Sequence, residues 1–95
     1  MKACIAALKE GKTHTFRPVG NSMTPKIKSK QLVTVSPDIS DVKVGDVVAC
    51  KVKGRYFLHL VTAIGQDGRY EISNNHGYVN GWTSQLYGKV IAIGT

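Results

Sequence analysis

The chain has 95 residues, room for one core and too few for a TIM barrel or a dinucleotide-binding doubly wound sheet. Its 13 Lys and Arg against 6 Asp and Glu give a net charge of +7, a surplus that keeps a small protein soluble and also attracts acidic partners or nucleic acid. Cys4 and Cys50 lack the CxxC spacing of a zinc knuckle or thioredoxin-type site, and no segment approaches the roughly 18 apolar residues of a membrane span.

In chain order, residues 2–10 carry Cys4, Ile5 and Leu8 on one helical stripe, and Gly11 follows where a helix ends in a left-handed residue. A helical segment over 1–11 is therefore expected. Thr13–Arg17 is β-branched and aromatic and reads as a short strand. Pro18, Gly20, Asn21 and Pro25 then punctuate the chain with turns. Gln31–Val35 is the next strand, stopped by Ser36, Pro37 and Asp38. Val47–Val52 puts Val48, Cys50 and Val52 on one face and Val47 and Ala49 on the other. A tight turn at Lys53-Gly54-Arg55 returns the chain as a strand over Tyr56–Ile64. Gly65–Gly68 turns into Arg69–Ser73, a polar Asn- and Gly-rich loop is expected from Asn74 to Gln85, and Tyr87–Ile93 closes the chain. Six short strands predict a mainly β single domain over 1–95: a small, coiled, partly open antiparallel β-barrel with one short N-terminal helix.

Two places depart from plain strand-and-turn chemistry. Gly20-Asn21-Ser22-Met23-Thr24-Pro25 holds a serine in a turn flanked by Gly and Pro, where a hydroxyl and neighbouring N–H groups can be exposed together. An acyl-transfer nucleophile with an oxyanion hole needs that arrangement, whereas the bland reading is a serine capping a helical turn that begins at Thr24-Pro25. His59 shares a strand face with Phe57, Val61 and Ala63, while Leu58, Leu60 and Ile64 face the other way. An imidazole in a strand that is apolar on both faces is either a buried histidine satisfied by a carbonyl or a base held near neutral pH. The segment from Ser73 to Trp82 offers Ser73, Asn74, Asn75, Asn80 and Trp82 to orient that imidazole or line a cleft. Lys26, Lys28 and Lys30 make the one dense basic patch. His14 and His76 have no carboxylate or thiol neighbours at ligand spacing, so neither a metal nor a cofactor is expected.

Four segments taken together resemble the signal-peptidase and LexA-like serine peptidase superfamily. GNSMTPKI (Gly20–Ile27) is similar to its Gly-x-Ser-Met-x-Pro nucleophile box, and VGDVVACKV (Val44–Val52) to its Gly-Asp-hydrophobic strand. YFLHLVTAI (Tyr56–Ile64) stands where the superfamily places its general base. SNNHGYVNGW followed by YGKVI resembles its Gly-Asp-Asn-Asn loop and closing Gly-Lys-Val strand. The resemblance runs from Arg17 to Val90 and implies a coiled partial barrel with Ser22 as nucleophile and Asn21, Ser22 and Met23 at the oxyanion turn. His59 falls where bacterial members carry lysine, which implies the Ser–His pairing of the endoplasmic-reticulum and archaeal signal peptidases. Substrate would add as an extended strand.

The sequence departs from that pattern in three places. Ser73 replaces the Asp of the loop box, Asn80 lies near its second acidic position, and Gly20 replaces a hydroxyl two residues before the nucleophile. The reading is a serine endopeptidase, bacterial or from a phage, acting on a polypeptide substrate or partner protein. The alternative is a catalytically inactive module on the same fold, holding a peptide or nucleic-acid strand with the Lys26, Lys28 and Lys30 patch and Tyr56, Tyr78 and Trp82. MKACIAALKEGK lacks the apolar run of a signal peptide, so no membrane anchor and a cytoplasmic location are expected.

Overall fold

Helix α1 (Lys2–Lys9) forms where the apolar stripe predicts it and buries Cys4, Ile5 and Leu8. It ends in a Schellman arrangement around Gly11, whose φ of 77° only glycine adopts without strain. The Gly11 N–H donates to the Leu8 carbonyl and the Lys12 N–H to the Ala7 carbonyl, both at 3.0 Å, so these two carbonyls of the last turn are satisfied. The computed structural model describes residues 1–94.

Seven strands follow: β1 (His14–Phe16), β2 (Val33–Ser36), β3 (Val47–Val52), β4 (Arg55–Ile64), β5 (Tyr70–Ser73), β6 (Val79–Thr83) and β7 (Leu86–Ile93). They pair antiparallel in one open sheet of order β1-β2-β7-β3-β4-β5-β6, so β1 and β6 are the edges. The mainly β, partly open architecture expected from the strand and turn spacing is borne out. The β3–β4 hairpin turns on Lys53 and Gly54, with φ of 50° and 81°, as a two-residue turn matched to sheet twist demands.

Apolar clusters pack on both faces of β3 and β4, which is why neither shows simple polar–apolar alternation. Val47, Ala49 and Leu58 pack with Val33, Val35 and the helix residues Cys4, Ile5 and Leu8. Val48, Cys50 and Val52 pack on the other side with Val61, Ile72 and Leu86. The two cysteines are therefore free thiols buried on opposite faces, with burial pushing the Cys50 thiol up to about 12.

The segment Asn74–Gln85, expected as a loop, contains β6. Asn80 and Gly81 hide it, because both are turn formers and break the strand pattern. Gly81 has a φ of 141° and lies so close to the β3–β4 turn that a Cβ would sit 3.2 Å from Val52 Cγ1. The positive φ and the close approach together select glycine here although the residue lies in a strand.

A glycine also lies at the heart of the sheet. A Cβ on Gly88 in β7 would meet the Ser36 carbonyl at 2.6 Å, Val35 Cγ1 at 2.9 Å and Leu8 Cδ1 at 3.0 Å. Two of these groups belong to the fixed β2 strand and cannot swing away. Gly88→Ala is expected to destabilise by about 2–3 kcal/mol through overpacking, read as a lower urea midpoint with unchanged slope.

Candidate active site

The connection from β1 to β2 presents Ser22 to solvent, and the next residue explains how it is held there. Met23 and Ile27 are only 5% and 4% exposed and plug the core beneath α1, so the turn is anchored directly beside its serine. The Ile27 N–H donates to the Met23 carbonyl at 2.9 Å, and the Thr24 N–H to the Asn21 carbonyl at 3.2 Å. On the near side, the Gly20 N–H donates to Ser29 Oγ at 3.1 Å and the Lys30 N–H to the Pro18 carbonyl at 2.7 Å. Among the described residues, the Ser22 and Met23 N–H groups donate to no protein acceptor.

The β5–β6 loop clamps this turn from the far side. The Asn75 N–H donates to the Ser22 carbonyl at 2.8 Å, and Asn75 Nδ2 donates to the Thr24 carbonyl at 3.1 Å. His76 Nε2 reaches the Asn21 carbonyl at 2.9 Å and Thr24 Oγ1 at 3.2 Å. A carbonyl can only accept, so His76 carries its proton on Nε2. Asn74 shapes the clamp itself, its Oδ1 accepting from the His76 and Tyr78 N–H groups at 2.8 and 3.0 Å. Sequence reasoning set His76 aside as a metal ligand and gave it no other role. Its partners lie 52 and 55 residues away, and no local pattern signals such a contact.

His59 is 8% exposed in β4, stacked on Phe57 at 4.8 Å between ring centroids. Its Nε2 lies 3.0 Å from Ser22 Oγ and its Nδ1 lies 2.7 Å from Asn80 Oδ1. The amide oxygen only accepts, so Nδ1 carries the proton and the Nε2 lone pair faces the serine hydroxyl. That is the tautomer a general base requires.

Asn80 reaches the ring because it is the extra residue of a β-bulge. Val79 pairs with Ser73 and Gly81 with Ile72, which leaves Asn80 without an opposite partner on β5. A bulge re-aims the side chain of its unpaired residue, here toward β4. Ser73, by contrast, is buried and its hydroxyl lies 3.0 Å from Thr62 Oγ1, so it is not the imidazole's partner. Trp82 is half exposed and lines a separate open depression with Gly65, Asp67 and Arg69, so the structure does not bring it to Ser22 and His59. The three patch lysines diverge: Lys26 Nζ donates to the Gly45 carbonyl at 3.1 Å, Lys28 faces the cleft described next, and the Lys30 carbonyl receives Arg17.

A cleft of about 320 Å³ opens beside Ser22 and His59, walled by apolar groups that include Phe16, Met23, Ile27 and Leu58. Among the described residues no group of three or more His, Cys, Asp or Glu is placed to hold a metal ion, and no helix is long and apolar enough to cross a membrane.

Burial holds His59 below the usual histidine value of 6.5, and the bond to Asn80 only partly opposes it. The ring is therefore neutral, and able to accept a proton, at neutral pH. Between that depressed value and 6.5 the unfolded chain binds a proton that the folded chain refuses. This contribution to stability is thus fully present above 6.5 and is lost as pH falls through the window below it. Urea midpoints of wild type and His59→Gln followed from about pH 8 to about pH 5 should diverge in that window, with the extra decline confined to wild type.

No curated protein sequence matches this chain. The profile of the Peptidase S24-like family, however, matches residues 3–93, from the first turn of α1 to the end of β7, and with so nearly the whole chain inside that match the protein belongs to the Peptidase S24-like family.

Proposed function

We propose that the protein is a serine peptidase in which Ser22 attacks the scissile carbonyl and His59 accepts the hydroxyl proton. The observation that carries this reading is His59 hydrogen-bonded to Ser22 Oγ through Nε2 and to Asn80 Oδ1 through Nδ1, at 3.0 and 2.7 Å. The Ser22 Oγ–carbon bond forms as the proton moves to Nε2, and the carbonyl oxygen takes the negative charge. The Ser22 and Met23 N–H groups are the donors available to that oxyanion. His59 then returns its proton to the departing amine, and water hydrolyses the acyl-serine by the same steps in reverse. Edge strand β1 offers an unpaired backbone beside the cleft, so the polypeptide substrate adds to it as an extended strand. A cytosolic site of action fits the two free, buried thiols.

One feature favours a second reading, a catalytically silent peptide-binding module: an amide, not a carboxylate, faces the imidazole. A proteome-derived peptide library incubated with wild type and with Ser22→Ala separates the two. New peptide termini made by wild type and absent with the variant support the peptidase and report its cleavage preference. Identical termini in both samples leave the binding module.

A further inference from the structure

The cleft beside Ser22 combines apolar side chains with polar and cationic ones. Arg17 and Lys28 both line it, and both are exposed. Among the described residues neither side chain enters an ion pair. Arg17 is held in place, its Nη1 donating to the Lys30 carbonyl at 3.0 Å. One of the five guanidinium N–H donors is thereby used, and the rest of the fork remains for a ligand.

The six carboxylates of the chain lie elsewhere. Asp41 and Asp46 face Lys89 at 2.9 and 4.0 Å, and Asp38 accepts from Ser40. Asp67 is bound to Arg69 at 2.8 Å, Glu71 accepts from Thr62 Oγ1 at 2.8 Å, and Glu10 sits by Lys12 at the end of α1. None of them lines the cleft. Two side-chain cations with no carboxylate partner among the described residues thus line a cleft of mixed polar and apolar character, on a chain whose net charge is +7. Charges of one sign lining a cleft focus their field at its opening.

We propose that this cleft selects polypeptide segments in which an apolar side chain is flanked by Asp or Glu. The apolar group packs against Phe16, Met23, Ile27 and Leu58, and the carboxylate pairs with Arg17 and Lys28. This inference rests on the peptidase reading for its cleavage step but not for its binding step, so the two can be tested apart.

Binding is measured by fluorescence anisotropy on Ser22→Ala, which cannot turn over, using two labelled peptides with the same apolar centre. One carries Glu flanks and the other Lys flanks. The Glu peptide is expected to bind about tenfold more tightly at about 50 mM salt, with most of that margin lost at about 300 mM. The further variant Arg17→Glu/Lys28→Glu should reverse the order of the two peptides. Lys28→Glu alone, whose exposed side chain makes no hydrogen bond among the described residues, should shrink the margin with no risk to folding. Equal binding of the two peptides, or a margin untouched by either variant, overturns the inference. So does tighter binding of a single-stranded oligonucleotide that displaces the Glu peptide, because the groove would then be a nucleic-acid site. Separately, a neutral fluorophosphonate tests whether wild-type Ser22 is nucleophilic. Failure to label, with the acidic preference intact, sinks the peptidase reading and leaves the substrate chemistry of the cleft standing.

Discussion

His59→Ala is expected to lower kcat/KM for any peptide this protein cleaves by on the order of 10⁴, while the chain stays folded. A serine hydroxyl is a weak nucleophile until a base takes its proton, and His59 is the side chain bonded to Ser22 Oγ. Neither lysine around the β3–β4 turn is bonded to that hydroxyl among the described residues. Lys51 Nζ sits over the Tyr56 ring at 5.2 Å from its centroid, and Lys53 occupies the β3–β4 turn against Gly81. Ser22→Ala should cost as much as His59→Ala, and the double variant should be no slower than either. Groups that act as one unit are not additive. Lys51→Ala should keep wild-type turnover. A His59→Ala protein retaining more than about a tenth of wild-type kcat/KM would show that another group takes the proton, since general-base catalysis is worth at least about 10²-fold.

Much of this arrangement was legible from the residues, and the parts that were not have a common cause. β3 and β4 could be read as central strands because both of their faces are apolar, and the two faces do pack into separate cores. Gly11 announced the end of α1 because only a left-handed residue closes that turn. The serine box and the imidazole on the returning hairpin pointed to Ser22 and His59, and the structure puts them in contact. The partner of His59 was narrowed only to a set of polar residues. Asn80 stands near an acidic position of the resembling pattern but Asn75 offers the same amide, and what aims Asn80 at the ring is a one-residue bulge that composition does not encode. The same bulge region disguised β6, since Asn80 and Gly81 obey the demands of the ring and of Val52, not those of a strand. Where local rules and the site conflict, the local rules give way.

Asn80→Asp is expected to make the protein a faster peptidase and to move its pH profile upward. In triad enzymes, replacing the orienting Asp by Asn costs on the order of 10⁴, largely because the histidine is held in the wrong tautomer. Here Asn80 presents its oxygen, so the tautomer is already right and only the charge is missing. An imidazolium forms in the transition state, and an amide dipole stabilises it less than a carboxylate at the same 2.7 Å does. The expected gain in kcat is therefore smaller, about 10²-fold near pH 8. The same carboxylate favours the charged ring, so His59 should rise from its burial-depressed value by about 1–2 pH units. Only the neutral ring accepts the serine proton, so the acid limb of kcat/KM should move to higher pH by the same amount. Below the new midpoint the gain should shrink. Rate profiles paired with an NMR titration of the His59 ring would report both changes on one protein. If turnover and the His59 midpoint are both unchanged in Asn80→Asp, the contact with Asn80 orients nothing that matters to the chemistry. A raised midpoint without faster turnover would instead leave Asn80 beside the ring but place the slow step outside proton transfer.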